Sequence, residues 1–159
     1  AKFLAGCSGM VLDYAAREPF WRRNLNYNHG TGHGVGYLGN IHEAPIGFRW
    51  KATRDAMCEI EPGMVITDEP GIYIEGSHGI RIENELLVRA GEKNEYGQFL
   101  YFEPPTFVPI DLDALRPELM TEEEKQLLNA YHQSVYEKIS PYLEAEEKEW
   151  LKEYTRPVK

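Results

Sequence analysis

Only two of the 159 residues are cysteine, Cys7 and Cys58. They are too few for a disulfide scaffold and too isolated for a zinc cluster. Basic residues are also in short supply: 17 Lys and Arg stand against 26 Asp and Glu, a formal net charge of -9. That balance argues against nucleic acid or an anionic membrane as the main partner. No apolar run approaches the ~20 residues of a membrane span. No basic stretch followed by an apolar one marks a signal peptide, and a reducing cytoplasm is the expected compartment. Repeats and low-complexity linkers are absent. What is present, 42% hydrophobic and 27% charged residues, is enough for one soluble domain with a core and excludes wholesale disorder. The first residue is Ala1 rather than Met, and the chain opens directly on apolar residues, which reads as part of something longer.

The character of the chain changes along its length. Residues 1 to about 110 are rich in glycine, proline, aromatic and β-branched residues, and residues from about 119 onward in Glu, Lys and Leu. Lys2 to Gly6 reads as a short strand. Ser8 is placed to cap a helix running through Met10 to about Arg17. Pro19 suits the start of a second helical turn over Phe20 to Arg23. In His29-Gly30-Thr31-Gly32-His33-Gly34-Val35-Gly36 the interspersed glycines cost a helix about 1 kcal/mol each. An extended chain is predicted instead, with His29, Thr31, His33 and Val35 on one face.

Pro62-Gly63 and Pro70-Gly71 are turn signals around the apolar run Met64-Val65-Ile66. Ile72 to Ile74 reads as a strand, Gly76 to Gly79 as a hairpin turn, and Ile80 to Val88 as the return strand. Leu100 to Phe102 is another short strand, and Thr106 to Val108 continues it as an edge strand beyond Pro104-Pro105. Thr121 and Glu124 form a capping box, followed by Leu127, Leu128, Tyr131, Val135 and Ile139 at helical spacing. Pro141 breaks that helix, and a second one is expected from about Tyr142 to Tyr154.

The chemistry-bearing residues are polar groups set inside apolar or glycine-rich segments: His29, His33, His42, Glu69, Arg81 and Glu83. Glu69 follows the Met64-Val65-Ile66 run, where a carboxylate is costly unless a cation or hydrogen bonds satisfy it. Glu83 lies inside the expected return strand, with alternation placing Arg81, Glu83 and Glu85 on one face. One imidazole and two carboxylates on adjoining strands suit a divalent ion such as Mn, Co, Zn or Fe. The residue types equally allow a plain reading, in which Glu83 pairs with Arg81 or a lysine and the histidines lie in a loop.

Four motifs in order, His29 to Gly36, His42-Glu43-Ala44-Pro45, Glu61 to Gly71 and Gly79 to Asn84, resemble the pita-bread metallopeptidases of family M24. Phe102-Glu103-Pro104, Val108-Pro109-Ile110, Asn129 to His132 and Trp150-Leu151 are similar to the cytosolic Xaa-Pro aminopeptidase type within it. The resemblance implies an α+β chain. Residues 1–110 would be the C-terminal half of a pita-bread (creatinase/aminopeptidase) fold, a curved antiparallel sheet with helices. Residues 111–159 would be a two-helix tail packed on it. It implies that His33 is a metal ligand and that Glu69 is both a ligand and the general base or acid handling the nucleophilic water. Glu83 would bridge two metal ions, Mn foremost, with Co or Zn as alternatives. His29 and His42 would line the substrate pocket and hydrogen-bond the peptide and the tetrahedral intermediate, and Arg81 would organise the site beside them. The substrate would be a peptide with proline in second position, whose scissile amide is tertiary and donates no N–H.

The sequence departs from that family in one respect. The family's two aspartate ligands precede the histidine motif, and the single aspartate before His29 is Asp13, in a helix-like stretch. Glu69 and Glu83 alone balance one divalent ion. The expectation is therefore a catalytic-domain fragment that is inactive alone, with at most one weakly bound metal. Its incomplete sheet would seek a second copy or the missing half. A prolidase-type dipeptidase or creatinase is the alternative inside the fold, although no group to hold a free substrate carboxylate can be assigned. A non-catalytic peptide- or protein-binding module is the alternative outside it.

Overall fold

The computed structural model describes residues 1–159, which divide into two compact units, Ala1–Pro105 and Thr106–Lys159. In the first, the apolar runs pair into a four-stranded antiparallel sheet of order β1-β8-β7-β4, with β1 at Lys2–Leu4, β4 at Val65–Asp68, β7 at Asn84–Asn94 and β8 at Gly97–Glu103. Its inward side chains are Phe3, Ile66, Val88 and Leu100. With Ile46, Phe48 and Ile60 they form the core that Cys7, Leu12, Cys58, Met64, Leu86 and Phe102 border. Two small ladders complete the unit: β2 (Gly32–His33) with β3 (Gly47–Phe48), and β5 (Gly71–Ile74) with β6 (His78–Arg81).

Several local expectations are corrected. The helix α1 runs unbroken over Gly9–Trp21, with Pro19 inside its last turn rather than at the start of a second helix. Proline there withdraws one N–H donor from the ladder, and the helix ends two residues later. Ser8 occupies the N-cap position with extended dihedrals, but its side chain makes no capping bond; its backbone bridges Glu59 instead. The expected strand Ile80–Val88 is two strands. β6 pairs with β5 while β7 pairs with β4 and β8, so the chain changes partners at Ile82-Glu83 and Glu83 lies in the link, not in a strand. The β7–β8 hairpin extends past the expected strands through residues 89–96, whose mostly polar, exposed side chains and Gly91 give no strand pattern. Its turn is closed by the Asn94 side chain, which accepts from the Tyr96 N–H at 3.0 Å.

In the second unit, α2 (Glu122–Ile139) starts on the expected capping box. The Thr121 hydroxyl accepts from the Glu124 N–H and the Glu124 carboxylate accepts from the Thr121 N–H. Its buried stripe is Leu128, His132 and Val135. After a 3₁₀ turn over Ser140–Tyr142, α3 (Ala145–Tyr154) begins three residues later than expected, at a second capping box made by Glu144 and Glu147. Thr106–Val108 forms no edge strand. One phenol serves this segment instead: the Tyr131 O–H is shared between the Val108 carbonyl at 2.8 Å and the Thr106 carbonyl at 3.3 Å, and its oxygen accepts from the Val108 N–H. The Ile110 N–H donates to His132 Nε2 at 3.0 Å.

His132 is fully buried, and burial holds its imidazole below the usual value of 6.5. The unfolded chain therefore takes up a proton that the folded ring resists as pH falls through about 6.5, and stability drops below that pH. Thermal midpoints of the wild type and His132→Gln compared between about pH 7.5 and about pH 5 check this. The wild type is expected to lose more than the variant, and equal losses would remove His132 as a source of the acid lability.

Candidate active site

The His29–Gly36 segment is brought beside β4 by backbone pairing. The Glu69 N–H donates to the Thr31 carbonyl at 2.7 Å and the Val35 N–H to the Val65 carbonyl at 3.2 Å, with an antiparallel bridge between Gly34 and Ile66. In the middle, the His33 N–H donates to the Thr67 hydroxyl at 3.0 Å. So close an approach needs glycine at position 32, where a Cβ would overlap the Thr67 carbonyl and press on the Phe48 ring. Extended structure is thus borne out in kind, although only Gly32–His33 is regular strand.

This pairing sets His33 against Glu69, with Nε2 3.2 Å from Oε1. Both side chains are sheltered, 18% and 13% exposed. His33 Nδ1 lies 2.9 Å from the Gly34 carbonyl, which can only accept, so Nδ1 carries a proton. In its neutral form the ring would turn the Nε2 lone pair toward the carboxylate, and an imidazole beside a carboxylate is a donor set that suits a divalent cation. The other Glu69 oxygen lies 3.4 Å from Arg81 Nη1, which is also 3.9 Å from Glu83. Arg81 and Glu83 are more open, 43% and 42% exposed. The structure therefore brings His33 and Glu69 together directly and links Glu83 to them through Arg81. No three His, Cys, Asp or Glu side chains are gathered closely enough to hold a metal ion by themselves.

The two other histidines differ. His42 is exposed, and its ring centroid lies 4.0 Å from that of His33. The loop between them returns through a Gly36 N–H bond to the Asn40 carbonyl and a Glu43 N–H bond to the Gly34 carbonyl. His29 packs its ring against Tyr27 and Tyr73, at 5.0 and 5.6 Å. Its Nδ1 donates to the Gly30 carbonyl, and its Nε2 is buried without a partner. An acceptor so placed is costly unless a donor arrives to meet it.

Four further groups support the site. The Thr67 hydroxyl receives the His33 N–H and donates to Glu69 Oε1 at 3.3 Å. The Tyr73 ring touches His29 and lies under the Arg81 guanidinium. Asp68, next to the sheltered Glu69, is pushed up by burial above the usual carboxylate range. It lines a cavity of about 310 Å³ with Asp13, Thr31, Phe48 and Leu86. Asp13 is fully buried and bonded to Arg17 and Thr31. The strand signal around Thr67 and Tyr73 could have found those two; nothing local marks Asp13 as buried.

Residues 1–90 match the family model for metallopeptidase family M24, and residues 98–158 match that for the C-terminal region of peptidase M24. A probable Xaa-Pro aminopeptidase P of Talaromyces marneffei is 45% identical over 166 aligned residues, which take in 100% of this chain and 25% of that protein. Among solved structures, X-prolyl aminopeptidase from Caenorhabditis elegans, described as a cytosolic enzyme with a di-nuclear active site, matches with TM-score 0.89 and 36% identity over 99% of this chain and 26% of its own. Xaa-Pro dipeptidase from Bacillus anthracis matches with TM-score 0.51 and 34% identity over 69% of this chain and 27% of its own. The chain spans about a quarter of the length of the curated relatives it matches.

The site's geometry depends on the Gly32 contact. Gly32→Ala is expected to destabilise the chain by roughly 1–3 kcal/mol as β4 and the histidine segment are forced apart. Chemical denaturation measures this, and a stability unchanged from wild type would show that the close approach is dispensable.

Proposed function

The chain belongs to metallopeptidase family M24, and we propose that it forms the C-terminal part of the catalytic region of a Xaa-Pro aminopeptidase. Its fold is α+β, the C-terminal half of that family's pita-bread fold, with antiparallel strands and helices. The observation that carries the functional reading is the facing of His33 Nε2 and Glu69 Oε1 at 3.2 Å, an imidazole and a carboxylate placed where one cation could be shared between them. Two divalent ions, Mn foremost, would supply Lewis acidity and a water acid enough to ionise near neutral pH.

The chain's own residues divide the remaining work. His33, Glu69 and Glu83 would hold the ions. Glu69, already touching His33 and Arg81, would take the proton from the attacking water and return it to the leaving proline nitrogen. His42 stands at the open side beside His33, where it can meet the peptide. The unpartnered His29 Nε2 would accept a donor from the substrate or, once protonated, support the oxyanion. Arg81 would balance the charge of Glu69 and Glu83. The tertiary amide before proline offers no N–H, so recognition falls to pocket shape and these side chains.

An aminopeptidase is favoured over a prolidase-type dipeptidase because the likeness to the nematode enzyme takes in 99% of the chain, whereas that to the bacterial dipeptidase takes in 69%. Cytoplasmic residence is proposed on two unpaired cysteines and the cytosolic description of the nematode enzyme. Asp13 is committed to Arg17 and Thr31 and is not free to serve as one of the family's aspartate ligands. The 159 residues alone are therefore proposed to be inactive, and to hold at most one ion weakly.

With Mn, the longer polypeptide carrying this sequence is expected to release the first residue from Xaa-Pro peptides longer than a dipeptide, and Glu69→Gln to lower kcat by about 10²–10⁴-fold. The 159-residue chain is expected to show no turnover under the same conditions. Wild-type-like kcat in the variant would end the assignment of Glu69, and metal-dependent turnover by the short chain would end the proposal of inactivity. Association with a second copy or with the missing half is proposed from the half-exposed Tyr73, Ile74, Ile80 and Ile82 about the β5–β6 hairpin. Sedimentation velocity of the 159-residue chain is expected to show self-association, and a single monomer boundary at high concentration would count against it.

A further inference from the structure

Beneath the histidine segment lies a buried ion pair. Asp13 is 1% exposed and Arg17 0%. Arg17 Nε donates to Asp13 Oδ2 at 2.6 Å. Its Nη1 donates to the Tyr27 carbonyl at 2.8 Å and to the Asn26 side chain at 3.1 Å, and its Nη2 to the His29 carbonyl at 2.8 Å. The guanidinium carbon also lies 4.0 Å from the centre of the Tyr27 ring. On the other oxygen, Asp13 accepts from the Thr31 hydroxyl at 2.5 Å, and that hydroxyl pairs with the Tyr27 hydroxyl at 2.5 Å. Burial raises the Tyr27 phenol above its usual range, so it remains an O–H donor.

Surface adhesion of a helix does not call for this arrangement. A buried ion pair is expensive to desolvate and often contributes nothing net to stability. Here almost every bond it makes ends on residues 26–31, the segment that carries the His29 ring and offers the Thr31 carbonyl to Glu69. We infer that the buried Asp13–Arg17 pair is the positioning centre of the site, holding Tyr27, His29 and Thr31 so that the His29 imidazole and the Glu69 backbone are set together from one rigid point on α1. The inference rests on the aminopeptidase reading for its kinetic consequence, not for its geometry. Arg17 reaches one carboxylate, two carbonyls and an amide oxygen with a planar fork. A lysine keeps the charge, but its single ammonium cannot span the same acceptors. Thr31 links Asp13 to Tyr27 through a hydroxyl that valine lacks at nearly the same volume.

Two variants test this, Arg17→Lys and Thr31→Val, each in the metal-loaded longer polypeptide and in the 159-residue chain. In the longer polypeptide, Arg17→Lys is expected to lower kcat by about 10–100-fold with KM within about threefold and metal content unchanged, the signature of a displaced rather than a lost group. Thr31→Val is expected to lower kcat by about 3–10-fold, the worth of one hydrogen bond. In the 159-residue chain, both are expected to shift the His29 ring nitrogen resonances in long-range proton–nitrogen correlation spectra and to leave those of His78 and His132 in place. A merely structural pair, satisfied by any buried cation, would be rescued by lysine. Folded Arg17→Lys protein with wild-type kcat, or unmoved His29 resonances, would overturn the inference. If Arg17→Lys does not fold, Thr31→Val decides alone, and unchanged kcat together with unmoved resonances sinks it. A wild-type polypeptide without Xaa-Pro turnover would remove the aminopeptidase reading, while the His29 resonances still judge the positioning.

Discussion

A carboxylate placed where water is scarce must be held by something, and the arrangement around Glu69 is the set of groups that hold it. Its N–H is tied to the Thr31 carbonyl. One oxygen is shared between the Thr67 hydroxyl and the His33 ring, and the other faces Arg81. Three of these partners are themselves anchored: Thr31 to Asp13, His33 through Nδ1 to Gly34, and Arg81 at the end of β6. Removing the fixed geometry would leave a sheltered charge with fewer partners, at a cost of several kcal/mol. The site is therefore rigid for an electrostatic reason before any catalytic one, and α1, β2 and β4 are coupled through it.

The parts legible in the sequence are those where a local pattern and the long-range pairing agree. His33 and Glu69 stood out because polar residues beside Gly32 and after Val65-Ile66-Thr67 conflict with their surroundings, and the conflict is resolved by their meeting. The capping box at Thr121 needed no tertiary information. The parts that were not legible depend on partners distant in sequence. Alternation assigns faces only within one strand, and Ile82-Glu83 is where the chain leaves β5 for β4, so the pattern puts Glu83 in a strand it does not occupy. Asp13 and Arg17 have the spacing of a surface helix pair. Residues 26–31 wrap over α1 and bond to the pair, and nothing in residues 9–21 announces that.

Charge balance around the site explains why Arg81 sits where it does. Glu69 and Glu83 both look toward one region and would repel each other if left uncompensated. Arg81 stands within 4 Å of both, and the Tyr73 ring supports its guanidinium from one side. Its own side chain remains 43% exposed, so water screens the pair interactions and each contributes little to stability. That weakness suits the proposed cation site. A partner that costs little to displace leaves the carboxylates available, whereas a deeply buried arginine, of the kind found at Arg17, would not release them. The two arginines thus occupy opposite regimes within one unit. Arg17 is desolvated, holds its acceptors at hydrogen-bond distance and fixes the backbone. Arg81 is half-solvated, stands at longer range and steadies charge without committing the oxygens that the metal chemistry of the family requires.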